Sequence, residues 1–108
     1  TRFKDEEMKR RYIEMTSEHA DYCKSAEPET LIYSGGFALR DSDRGPDIKE
    51  GDMLFVAAFL NEEAAVRHRD DPLHIKLQTK LSEIERERTF FLSYKTTGKG
   101  YLWRGREI

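Results

Sequence analysis

The sequence predicts a single α+β domain of order β-α-β-β-α-β, with an antiparallel sheet covered by helices on one face. Three observations carry that expectation. Residues 4–26 repeat apolar positions at spacings of three and four, the period of a helix. Residues 53–60, MLFVAAFL, form an apolar run of the length of a buried strand and far short of a membrane span. The segment after it, NEEAAVRHRDDPLHIK, holds a helix start, a break, a second helix start and two of the three histidines.

A chain of 108 residues makes one domain, spanning 1–108. Charged residues and hydrophobic residues each make up 37%, a lean supply for a self-sufficient core, so burial between copies of the chain is expected. The net charge of -2, with both signs spread along the chain, offers no basic footprint for nucleic acid and no polybasic membrane patch. The start shows no signal-peptide pattern. One cysteine, Cys23, makes no disulfide within the chain, which points to a reducing, cytoplasmic setting.

Taken in order, Thr1, Arg2 and Phe3 read as the tail of a first strand that is largely missing from the chain. A helix follows over residues 4–26, with Met8, Tyr12, Met15 or Thr16, His19 or Ala20, and Cys23 along one side. Asp5, Glu6 and Glu7 suit its positive end, and Pro28 stops it. Residues 30–39, TLIYSGGFAL, read as a strand. Gly35 and Gly36 there indicate a bulge, a closely approaching group, or a turn dividing two short strands. Residues 40–51 are a polar loop, and residues 52–60 a central strand. Asn61 is a good N-cap for a short helix with Glu62 and Glu63 in its first turn. Asp71 caps a second helix with Pro72 at its first position and Leu73, Leu77, Leu81 and Ile84 as its apolar stripe. The charged stretch EIERER reads as its solvated end. Residues 89–95, TFFLSYK, read as the last strand, with residues 101–104 pairing back across a glycine-containing turn. With the first strand restored, this is the ferredoxin-like arrangement. Its uncovered apolar sheet face is best buried against a second sheet, as in a dimeric α/β barrel.

Two stretches resemble the antibiotic biosynthesis monooxygenase family of dimeric α/β barrels. The first is Glu27-Pro28-Glu29-Thr30-Leu31-Ile32-Tyr33, the entry to the second strand. The second is the aromatic third strand leading into Glu63-Ala64-Ala65-Val66-Arg67-His68, followed by His74. The likeness covers residues 3–94. His74 stands one residue further from His68 than the family's form places it. The loop 40–51 is longer and more charged than a minimal member needs.

The resemblance implies a homodimer formed through the sheet face and a cofactor-independent oxygenase, with neither metal nor flavin. Its substrates would be molecular oxygen and a quinol, an anthrone or a related aromatic. An aromatic anion, formed and held in a desolvated pocket, would react with oxygen directly. His68 is then the first candidate for catalytic base or hydrogen-bond donor, with His74 behind it. Asn61, Tyr33 and Trp103 are candidates for binding the substrate, although Asn61 is already explained as a cap, and Tyr33 and Trp103 suit core or interface. His19 reads as a half-buried structural residue. A metal site is not expected, because His68 and His74 would not share a face of one continuous helix and no third ligand stands out. Nucleophilic catalysis by Cys23 finds no pattern of basic neighbours beyond Lys24. Two other readings stand beside the oxygenase. One is a non-catalytic dimeric barrel that binds a small ligand or serves a biosynthetic or stress pathway. The other, ranked lower, is a haem-binding variant, for which the only asparagine and the only tryptophan lie in the wrong places.

Overall fold

The structure, a computed structural model, describes residues 1–88 and 91–95. Its elements are β1 (Arg2–Phe3), α1 (Glu6–Ala26), β2 (Thr30–Phe37), β3 (Met53–Phe59), α2 (Glu62–Asp70), α3 (Pro72–Leu81) and β4 (Arg86–Glu87). This is an α+β protein with three helices and two small antiparallel ladders. Among the described residues no helix is long and apolar enough to cross a membrane.

The helix boundaries follow local chemistry. The Asp5 carboxylate accepts the Met8 amide at 2.9 Å, opening α1. Glu27, just before Pro28, closes it, and its amide donates back to the Cys23 carbonyl at 2.9 Å. Asn61 caps α2 by accepting the Ala64 amide at 2.8 Å. Asp71 is extended, accepts the Leu73 amide at 2.8 Å and starts α3 with Pro72 in its first turn. Each side-chain oxygen satisfies an amide that the first helical turn leaves without a partner.

In the larger ladder Thr30 lies opposite Phe59 and Phe37 opposite Met53, with a register shift between Thr30 and Ile32. The strand runs unbroken through Gly35 and Gly36, so the bulge sits four residues earlier than the glycines and no turn divides the strand. What Gly35 provides is room. A β-carbon there would lie 2.6 Å from Met53 Cε and 3.1 Å from Phe55 Cδ2, whereas one on Gly36 would meet nothing within 4 Å.

In the smaller ladder Arg2 lies opposite Glu87 and Phe3 opposite Arg86. Thr1 and Met53 exchange main-chain hydrogen bonds of 2.9 Å, which set β1 beside the start of β3. This corrects the expected position of the last strand. It falls in the charged stretch, at Arg86–Glu87, while Phe91–Lys95 are exposed and take no strand. The physical reason is the position of Arg86. Its guanidinium lies 5.0 Å from the Tyr12 ring centre and donates to the Leu81 carbonyl at 2.7 Å, so its stem packs although its sequence reads as polar. Thr89, Phe90, the turn at 96–100 and the pairing segment 101–104 lie outside the described residues.

The core is small. Leu77, Leu81 and Ile84 are buried, with Phe3, Met8, Tyr12 and Met15 packed against them. Leu73, the first member of the expected stripe, is half exposed. Helix α1 packs on α3 and β2, and α2 on α3 and β3. Tyr33, Phe55 and Phe59 share the face toward the helices: Tyr33 and Phe59 stack near His68, and Tyr33 meets Phe55 edge-on. By strand alternation Leu54 and Val56 face away, and they are 59% and 42% exposed.

Candidate functional site

The break between α2 and α3 assembles the site. With Asp71 extended at φ -60° and ψ 129°, α3 leaves in a new direction, and the His68 and His74 ring centres lie 4.4 Å apart. His19, on α1, joins them with its ring centre 5.7 Å from His68 and 5.6 Å from His74. Tyr33 from β2 stands 5.4 Å from His68 and 5.5 Å from His19. Phe59 closes the group 5.0 Å from His68. His68 and His74, six residues apart, are thus joined by the distant His19 in one cluster between helices and sheet.

His68 is the centre of this cluster. It is 5% exposed, and its Nδ1 lies 2.7 Å from Glu27 Oε1. Burial pushes the Glu27 carboxyl up, but hydrogen bonds from His68 and Thr30 pull it further down, so it lies below the usual carboxylate range. An ionised carboxylate only accepts, so Nδ1 carries the proton and donates it to Glu27. The Thr30 hydroxyl donates to the same oxygen at 2.8 Å. The Cys23 sulfur sits 3.8 Å from His68 Nδ1. Burial first, then the charge of Glu27, pushes the Cys23 thiol up to about 12, so it stays protonated at neutral pH.

The surrounding groups are held neutral. Burial, with His68 and His74 close by, lowers the pKa of His19. Burial also lowers that of His74, against the opposing pull of the Arg69 carbonyl. His74 Nδ1 donates to that carbonyl at 3.1 Å, while Gln78 Nε2 donates to His74 Nε2 at 3.3 Å. Both His74 nitrogens are therefore committed, and the residue ties the end of α2 to α3. Burial raises the Tyr33 hydroxyl above its ordinary value.

A cleft of about 340 Å³ opens beside the dyad, lined by Glu27, Thr30, Ala64, Arg67, His68 and Asp71 among others. Arg67 pairs with Glu29 at its edge. That volume is at the small end for ligand pockets and suits one or two rings. A second hollow of about 180 Å³ lies between α1 and α3, along Met15, His19, Tyr22, Leu73 and Leu77.

Of the residues singled out in the sequence, His68, His74 and Tyr33 come together. Asn61 is exposed and its side-chain oxygen serves as the α2 cap. Trp103 lies outside the described residues. His19 is buried rather than half-buried, at 6% exposure. Glu27 and Cys23 were missed as functional groups. The signal for them is present in part, since His19 and Cys23 stand four apart on one face of α1 and Glu27 follows at the same interval as its C-cap. What the sequence hides is that His68 meets this face from α2. Compared with family models, curated proteins and solved structures, the chain matches none.

Proposed function

We propose that the chain is a cofactor-independent monooxygenase of the antibiotic biosynthesis type, acting on a quinol, an anthrone or a related aromatic. The ferredoxin-like arrangement pairs two copies through the outer sheet face into a dimeric α/β barrel, in a cytoplasmic setting. The observation that supports this reading is the His68–Glu27 pair at 2.7 Å on the wall of the cleft. An imidazole oriented by a buried carboxylate is the arrangement of a general base, because the carboxylate fixes the tautomer and stabilises the imidazolium.

With Nδ1 held by Glu27, Nε2 is left to accept a proton from the substrate's hydroxyl or acidic ring carbon. The resulting anion reduces oxygen. One oxygen atom bonds to the ring carbon, and the other leaves as water with the two hydrogens lost by the substrate. Dioxygen takes up four electrons in this step and the substrate supplies all of them, so the balance calls for no outside reductant. The rings of Tyr33 and Phe59 pack within 5.4 and 5.0 Å of the His68 ring, behind the cleft wall, and hold the base in a desolvated setting.

Oxygen uptake by the metal-stripped protein with a panel of quinols and anthrones tests the reading. Uptake above the uncatalysed rate is expected. His68→Ala should lower it by about 10²–10⁴-fold, the usual contribution of a positioned base. Glu27→Gln should lower it too, by removing the orienting charge while keeping the shape. Absence of uptake from a folded protein that still binds such aromatics would instead establish the non-catalytic ligand-binding barrel.

A further inference from the structure

His19, Cys23, Glu27 and His68 each bring one ligand-type atom to the same point, all within 4.8 Å of one another. Two polar atoms of these residues lack partners: His19 Nε2 and Glu27 Oε2 are buried and make no hydrogen bond. Unsatisfied buried polar atoms are costly and call for an explanation. Here both belong to a single group of donors.

The geometry points to a binding site for one tetrahedral divalent ion of the zinc class, held by His19, Cys23, Glu27 and His68. Zinc takes nitrogen, thiolate and carboxylate ligands at about 2.0–2.3 Å, which puts neighbouring donors about 3.3–3.6 Å apart in a tetrahedron. The four donors therefore need to close by about an ångström, a matter of side-chain rotation. Charge supports the same ion. Binding displaces the Cys23 proton to solvent; the resulting thiolate and the Glu27 carboxylate cancel a double positive charge, and two neutral imidazoles complete the shell, leaving a buried site with no net charge. Calcium and magnesium call for oxygen shells, and this group offers a single carboxylate.

The chain also supplies support behind the ligands. The Thr30 hydroxyl holds Glu27 through Oε1, leaving Oε2 for the ion. His19 and Cys23 come from one face of α1, Glu27 from the residue that caps its C-terminus, and His68 from α2, so the ion would fasten these helices together. The site does not depend on the oxygenase reading. It competes with it, because His68 and Glu27 cannot bind the ion and act as a proton-accepting pair at the same time. Metal occupancy would then switch off the base.

Titration of the metal-stripped full chain with cobalt(II), followed by zinc(II), tests the site. The expected result is a single cobalt per chain, with the intense visible bands of a tetrahedral ion and a thiolate-to-cobalt charge-transfer band in the near ultraviolet. Zinc should abolish both. The chain has one cysteine, so that band reports Cys23 directly and the wild-type protein alone can decide the matter. Cys23→Ser should remove the band, and His19→Ala should weaken binding by more than about tenfold, at least the loss that an outer-shell change causes. A folded wild-type protein that takes up no cobalt, or only the pale octahedral ion without charge transfer, would overturn the proposal. Oxygen uptake by metal-free protein is a separate readout, so either result can fail while the other stands.

Discussion

Asp52 shows how much one side chain can hold at this size. It is 6% exposed and accepts Arg2 Nε at 3.0 Å and Arg2 Nη2 at 2.8 Å, in a forked pair, together with the Lys49 amide at 2.9 Å. One carboxylate thereby fastens β1 to the turn that opens β3. The Arg2 guanidinium holds its carboxyl below the usual carboxylate range. A carboxyl whose folded pKa is depressed adds stability above its unfolded pKa and loses it as pH falls through the folded one. The contribution is thus complete above about pH 4 and fades below it. Asp52→Asn should cost about 2 kcal/mol near neutral pH, the scale of hydrogen bonds to a charged group. The gap between variant and wild type should narrow in acid, where both side chains are neutral. Urea unfolding of the two proteins at several pH values measures it, and a gap independent of pH would show that charge is not the cause.

At the scale of the element, β2 separates two glycines that look alike in sequence. Gly35 lies opposite Phe55 with Met53 leaning over it, while Gly36 faces open space. Gly35→Ala should cost about 1–2 kcal/mol through crowding, somewhat relieved by rotation of the Met53 end. Gly36→Ala should stay within about 0.5 kcal/mol of wild type. Urea midpoints compare them, and equal losses would show that backbone freedom matters there and packing does not. The contrast marks where sequence stops being legible. Helices α1, α2 and α3 could be read because Asp5, Asn61 and Asp71-Pro72 act on amides two or three residues away. Strand β4 could not, because Arg86 and Glu87 owe their pairing to β1, at the other end of the chain. The site divides in the same way. His68 stood out by its place in the stretch that resembles the monooxygenase family, whereas Cys23, Glu27 and His19 acquire meaning only when His68 is brought against the end of α1.

At the scale of the whole molecule, the described residues show an imbalance between a small core and an exposed apolar sheet face. The core rests on Leu77, Leu81 and Ile84, and among the described residues no large side chain is completely shielded from solvent. Meanwhile Leu54 and Val56 stand exposed on the sheet face away from the helices, beside the small side chains of Ser34 and Gly36 on the neighbouring strand. A face of this kind, apolar and low in relief, suits an isologous contact in which each patch meets its own copy. The proposed dimeric barrel therefore predicts a dimer by light scattering. Leu54→Lys and Val56→Lys together should give a monomer, because two like charges would then meet across the same contact in a dry setting. The helix-side cluster is on the opposite face, so the variant should retain the circular dichroism of its helices. If the dimer is also what stiffens the sheet, its thermal midpoint should rise with protein concentration in the wild type and not in the variant. A wild-type chain that scatters as a monomer at every concentration would refute the paired sheet, and with it the barrel.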